Sequence, residues 1–290
     1  MNISKAKSVM IIVFLALNLF LLYHLLEPGW GSIEDVITLE ERQRMESMLV
    51  ENNYVLEAEI PVKPEKSFFL TVTAPQKNIE ELRKLFFGDE TIEVVEAEEG
   101  ITYTSEKAVL FIQNNGFFSY ILNQSPLRAD AAEVDEGEAL DTASNFLQKR
   151  GLLTEDTGKY EVRADNENEF TVIFYEEYED IPLFSANIIL SVKGDKVTEA
   201  RSYRPRIVGV EDRQEMKVIP ATAAVMRLIE ELGYTGEEKT VSDIAPGFYS
   251  REYEAEEWEV PPVWRITIDE ENQYYINAFT GNIENKDSAL

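Results

Sequence analysis

Eighteen consecutive residues without a charge, residues 9–26 (VMIIVFLALNLFLLYHLL), constrain this chain more than any other stretch. As a helix they extend about 27 Å, close to the roughly 30 Å hydrocarbon thickness of a bilayer. Lys5 and Lys7 precede the stretch and Glu27 follows it. This asymmetry places the amino terminus in the cytoplasm and the remainder outside. Pro28-Gly29 stops the helix, and Tyr23 and Trp30 are suited to the two interfaces. A cleavable signal peptide is the rival reading. Its apolar region is shorter, at about 7–15 residues, and small residues follow it at the cleavage site. Here the stretch runs into Leu25-Leu26-Glu27-Pro28-Gly29-Trp30, which has no such site. The expectation is an uncleaved single-pass anchor, with residues 1–8 inside and residues 27–37 connecting to an extracytoplasmic domain.

The ectodomain is strongly acidic. The chain carries 27 Lys+Arg against 55 Asp+Glu, a net charge of −28. Such a surface repels nucleic acid and anionic headgroups. With no cysteine there is no disulfide framework, as befits a Gram-positive exterior and a core large enough to need no staple. The one histidine, His24, sits in the apolar stretch. An ectodomain Ser-His or Cys-His pair and an ordinary zinc site are therefore both ruled out. No phosphate loop, nucleophile elbow or calcium loop occurs. The acidic runs at 176–180 and 252–257 read as solvated faces rather than ion sites, because they lack calcium-loop spacing and its glycine. We expect no enzyme, cofactor or metal.

Along the ectodomain, hydrophobic periodicity gives an α+β chain. Thr38 and Glu41 form a capping box, followed by Leu39, Met45, Met48 and Leu49 at helical spacing. Strands are expected at 55–60 and 68–73, and a second helix carries Ile79, Leu82, Leu85 and Phe86. Four short alternating runs at 91–97, 101–105, 108–113 and 117–122 make an antiparallel meander. Residues 129–137 are acidic and nearly free of large apolar groups, which marks a boundary between domains at 38–128 and 129–290. Beyond it come a helix at 138–150, strands at 160–163, 170–178, 184–192 and 197–203, and a helix opened by Pro220 as a first-turn proline. That last helix carries Val225, Leu228, Ile229 and Leu232, and strands follow at 248–253, 263–268 and 274–278. The second half thus reads as two helix-plus-antiparallel-sheet units, each closing on a turn hairpin, Lys193-Gly194-Asp195 and Thr280-Gly281-Asn282.

The start, Ser4-Lys5-Ala6-Lys7 leading into Ile11-Ile12-Val13-Phe14-Leu15-Ala16-Leu17-Asn18-Leu19-Phe20, resembles the YycI family. Chain length, a single amino-terminal anchor and an acidic α+β remainder match it too. The closing Tyr275-Ile276-Asn277-Ala278-Phe279-Thr280-Gly281-Asn282-Ile283 is similar to the end of a PepSY-type repeat, a small extracytoplasmic regulatory module. The resemblance implies a non-catalytic accessory regulator of a WalK/YycG-type sensor histidine kinase, working beside a YycH-like sister protein through membrane helices and ectodomains. A stand-alone tethered module that captures a peptide, a protease or a wall polymer is the alternative.

Two sets of residues are candidate contacts. Asn18 lies near the middle of the anchor, where an amide facing lipid is costly and finds a partner in another helix. Ile11, Phe14, Leu15, Leu21, Leu22 and Leu25 share its face, and this face is expected to pack on the partner helices; a local bond from Asn18 to its own backbone is the other reading. Arg201, Arg204 and Arg206 form a basic island in an acidic domain. They meet an acidic partner surface or a cell-wall polyanion, or else neutralise their own neighbouring carboxylates.

Overall fold

The computed structural model describes residues 14, 38–61, 68–75, 79–123, 134–153, 157–166, 168–212, 218–251 and 255–285. The membrane-face residues Ile11, Leu15, Asn18, Leu21, Leu22 and Leu25 lie outside these. Phe14 alone of that face is described; it is helical and 66% exposed. Among the described residues no helix is long and apolar enough to cross a membrane. The architecture is α+β with a mostly antiparallel sheet.

The helices begin where the local chemistry directs. In α1 (Leu39–Glu51) the Glu41 N–H donates to Thr38 Oγ1 at 3.2 Å, and the Thr38 N–H donates back to the Glu41 carboxylate at 3.0 Å. Helix α2 spans Ile79–Phe87. Helix α3 (Glu136–Lys149) carries a second capping box, Asp135 with Glu138, and so starts two residues before the expected 138. In α4 (Ala221–Leu232) Pro220 is the N-cap itself rather than a first-turn residue, and Gly233 closes the helix at φ 71. Leu232, expected in the core stripe, is 36% exposed.

Eight strands form one antiparallel array. The meander β3 (Glu93–Glu96), β4 (Gly100–Thr104), β5 (Ala108–Gln113) and β6 (Phe118–Leu122) is followed, after α3, by a second meander. This comprises β7 (Thr157–Asn166), β8 (Glu169–Tyr178), β9 (Ile181–Lys193) and β10 (Lys196–Tyr203). The two meanders join through β6 and β10, so the spatial order is β3-β4-β5-β6-β10-β9-β8-β7. Helices α2 and α3 cover one face, α3 placing Leu147 over Leu110, Ile112, Leu190 and Val192. Burying each such side chain contributes about 1.5–3 kcal/mol.

A smaller array follows. Strands β12 (Lys239–Phe248), β14 (Pro262–Ile268) and β15 (Asn272–Asn277) are antiparallel, and β1 (Tyr54–Leu56) adds to β12 in parallel. Its core joins α1 and α4 through Met45, Leu49, Val225, Leu228, Trp264 and Ile266. The expected domain division lies at 128/129. Sheet pairing crosses it at β6–β10, and α1-β1 from the amino-terminal side completes the carboxy-terminal unit.

The two arrays touch as a sheet at one register pair only, Phe248 beside Leu183. A separate three-stranded sheet braces the junction. In it β2 (Phe68–Thr73) lies between β11 (Arg206–Asp212) and β13 (Glu257–Val260), with Leu70, Val72 and Val260 packed towards Leu183 and Phe248. Strands β11 and β13 are not among the expected elements. The strand expected at 248–253 lies instead at 239–248.

Candidate docking site

The helices cover one face of each array; the junction on the opposite face is concave. Its foundation is Arg265 on β14, 7% exposed. Its guanidinium donates to the Glu161 carboxylate on β7 and, at 2.9 Å, to Asp243 on β12. The same group lies 4.6 Å over the Phe184 ring, within cation–π range. Tyr175 donates its hydroxyl to Glu161 at 3.2 Å. Gly247 makes room for this packing, since a Cβ there would collide with the Phe184 ring.

The electrostatics follow from burial and pairing. Burial pulls the Arg265 pKa down, but Glu161, Tyr175 and Asp243 together outweigh it, and the net shift is upward. Arg265 therefore carries its charge at any working pH. Burial raises Tyr175 and Tyr275, with carboxylate Glu161 adding to the shift in both. These phenols are moved away from neutrality, the wrong direction for general acid–base work near pH 7. Among the described residues no group of three or more His, Cys, Asp or Glu side chains is placed to hold a metal ion.

Above this foundation lies an open cleft of about 580 Å³, within the usual range for ligand sites. Aromatic side chains wall it at the junction: Tyr275 stacks on Tyr249 at 3.9 Å and 4°, and packs against Phe184 at 5.4 Å. Trp258 is oriented by its Nε1–H, which donates to Ser250 at 2.9 Å. Among the described residues, Arg163, Arg201 and Arg251 are the charged lining residues, and no Asp or Glu is among them. The cleft is thus a basic, aromatic surface on an acidic protein.

The structure separates the three arginines of the basic island. Arg201, paired with Glu199 at 3.0 Å, lines this cleft with Tyr203. Arg204 points the other way, donating to the Leu152 carbonyl at 2.9 Å and to Glu176 at 3.1 Å. With Arg206 it lines a second cavity on the helix side, beside Leu82 and Leu85 of α2. Arg204 ties the end of α3 to β8, while Arg201 is left to the cleft. Arg163, Trp258 and Tyr249 are cleft residues that the sequence reading passed over. The alternation in 157–166 is the one signal that places Arg163 on a strand face, and nothing local brings it near Trp258.

Helix-plus-sheet units with a basic aromatic cleft at their junction are the geometry on which the comparisons bear. The model of the YycI protein family matches residues 34–279. The chain belongs to the YycI family, a family of regulatory accessory proteins linked to the WalK/YycG two-component system. No curated protein matches the sequence. Among solved structures, an uncharacterized protein from Eubacterium rectale is similar in fold over 83% of this chain and 98% of its own, with a TM-score of 0.52 and 10% identity. The YpeB C-terminal domain from Bacillus megaterium aligns over 73% of this chain and 96% of its own, with a TM-score of 0.40 and 13% identity.

Proposed function

We propose that this protein is a non-enzymatic, single-pass membrane regulator of a WalK/YycG-type sensor histidine kinase controlling cell-wall metabolism. It acts through helix and ectodomain contacts, together with a YycH-like sister protein. The observation that carries this reading is the family match over residues 34–279, preceded in the same chain by the charge-free residues 9–26. The amino terminus is cytoplasmic and the ectodomain extracytoplasmic, as the lysines before the apolar stretch dictate. Regulation by contact requires different affinities for two kinase states, and couplings of about 1–3 kcal/mol are typical. The position of α1 supports a mechanical link: the helix that follows the connector is packed into the Trp264 core, so a shift of the anchor is transmitted to a rigid unit.

A second reading, a tethered binding module, is favoured by the cleft alone. The two separate in one experiment. The full chain is extracted from native membranes in mild detergent and pulled down, beside an Asn18→Leu variant at equal expression. We expect the kinase and a second single-span protein to accompany the wild type. Losing an interhelical amide bond worth about 0.6–2 kcal/mol weakens recovery roughly three- to thirtyfold in the variant. Recovery of neither partner from the wild type, with a protease or wall polymer in their place, overturns the regulatory reading.

A further inference from the structure

The floor of the cleft is mapped by strand register. One row across β7, β8, β9 and β10 is Glu161, Ile173, Ile189 and Arg201; the row two residues along is Arg163, Thr171, Ser191 and Glu199. Arg163 and Arg201 therefore stand three strand spacings across and two residues along from each other, about 16 Å on the diagonal, with the apolar pair Ile173 and Ile189 on the Arg201 row between them. Their local carboxylates leave binding capacity. Glu161 is committed to the buried Arg265 and the Tyr175 hydroxyl, and approaches Arg163 only at 3.5 Å. Arg201 meets Glu199 through Nε, on a side chain 49% exposed. Each guanidinium has five N–H donors, so both retain donors for a ligand. Beside them Ser185 Oγ lines the cleft, shielded and without a hydrogen-bond partner.

We infer that this cleft binds an extended acidic peptide segment in which two carboxylates four residues apart flank an apolar side chain. In an extended chain alternate residues point the same way, and four residues cover about 13–14 Å, a span that the long arginine and glutamate side chains extend to the roughly 16 Å between the two arginine positions. The central side chain of such a segment falls on Ile173 and Ile189, with the aromatic wall beside it. A charge-assisted, forked Arg–carboxylate contact forms at each end. The described cleft lining carries Arg163, Arg201 and Arg251 while the protein as a whole carries a net charge of −28, so a segment of this kind is steered to the cleft rather than to the acidic surface elsewhere. This rests on the regulatory reading only in taking the occupant to be part of a protein.

The test uses the full chain in detergent micelles and a fluorescent peptide, Glu-Gly-Leu-Gly-Glu, read by anisotropy. Binding is expected to weaken at least about tenfold in the Arg163→Ala, Arg201→Ala double variant, and to fall with added salt. The Lys-Gly-Leu-Gly-Lys peptide and Glu-Gly-Glu, whose carboxylates are too close together, should not bind. Arg201→Glu, at a half-exposed site that leaves the fold intact, is the second variant and should abolish binding. Equal binding of the lysine peptide, unchanged affinity in both variants, or binding of a glycerol-phosphate polymer in place of the peptide overturns the proposal. Failure here with the kinase still recovered in the pull-down rejects the cleft ligand alone.

Discussion

Replacing Arg265 with methionine is expected to destabilise the protein by about 3 kcal/mol, measured by denaturant unfolding of the ectodomain signal in the full chain. Removing one partner of a buried ion pair costs about 3–5 kcal/mol, because the other charge is left uncompensated. The lower end applies here. Glu161 retains 24% exposure and Asp243 50%, so both carboxylates partly rehydrate when the guanidinium is gone. Methionine preserves much of the packing against Phe184, which makes the loss electrostatic rather than steric. Adding Glu161→Gln should recover part of it, and the double-mutant cycle isolates the pair. The consequence reaches beyond stability. The two sheet arrays share one register pair, Leu183 with Phe248, and the Arg265 bonds to β7 and β12 fix the angle between them. Loosening that angle opens the cleft wall formed by Tyr249 and Tyr275.

The second large effect lies one residue away, on the other face of the same strand. Trp264 is fully buried beneath α1 and α4, and Trp264→Ala should cost about 3–5 kcal/mol from lost transfer energy and the cavity left behind. Part of the loss is polar: the Nε1–H donates to the Ile219 carbonyl at 2.9 Å, and that acceptor is left without it. Trp264→Phe separates the contributions. It retains most of the apolar area and removes the donor, so it should cost less than the alanine change by the larger part of the cavity term. Unfolding midpoints of the two variants against wild type are the check. Equal losses in both would place the whole effect in the hydrogen bond.

Local chemistry made the helices and the meanders legible. The Thr38–Glu41 capping box, the apolar stripe of α4 and the turn at Lys193-Gly194-Asp195 each act over a few residues, and each stands where that chemistry places it. Strand β12 was not legible because Asp243, Pro246 and Gly247 all read as breakers. Two structural reasons admit them. Residues 243–247 pair only on the β14 side, where a missing donor is tolerated, and Gly247 yields space to Phe184. Strand β13 is four residues long, too short for a period to register. The place of β1 beside β12 was hidden for a different reason. The pairing of Tyr54 with Lys239 is set by the shared core of α1 and α4, and no feature near either residue announces it. The cleft combines both difficulties, since it gathers Arg163, Arg201, Tyr249 and Trp258 from four separated stretches.

The most direct test of the regulatory account is kinase output. A WalK/YycG-type kinase is reconstituted in nanodiscs, alone or with the full chain and its YycH-like partner, and autophosphorylation is timed. The account predicts a changed rate in the presence of this protein, and return to the rate without it when residues 9–26 are exchanged for an inert apolar helix. An identical rate with and without the protein, at concentrations where the three associate, would contradict it.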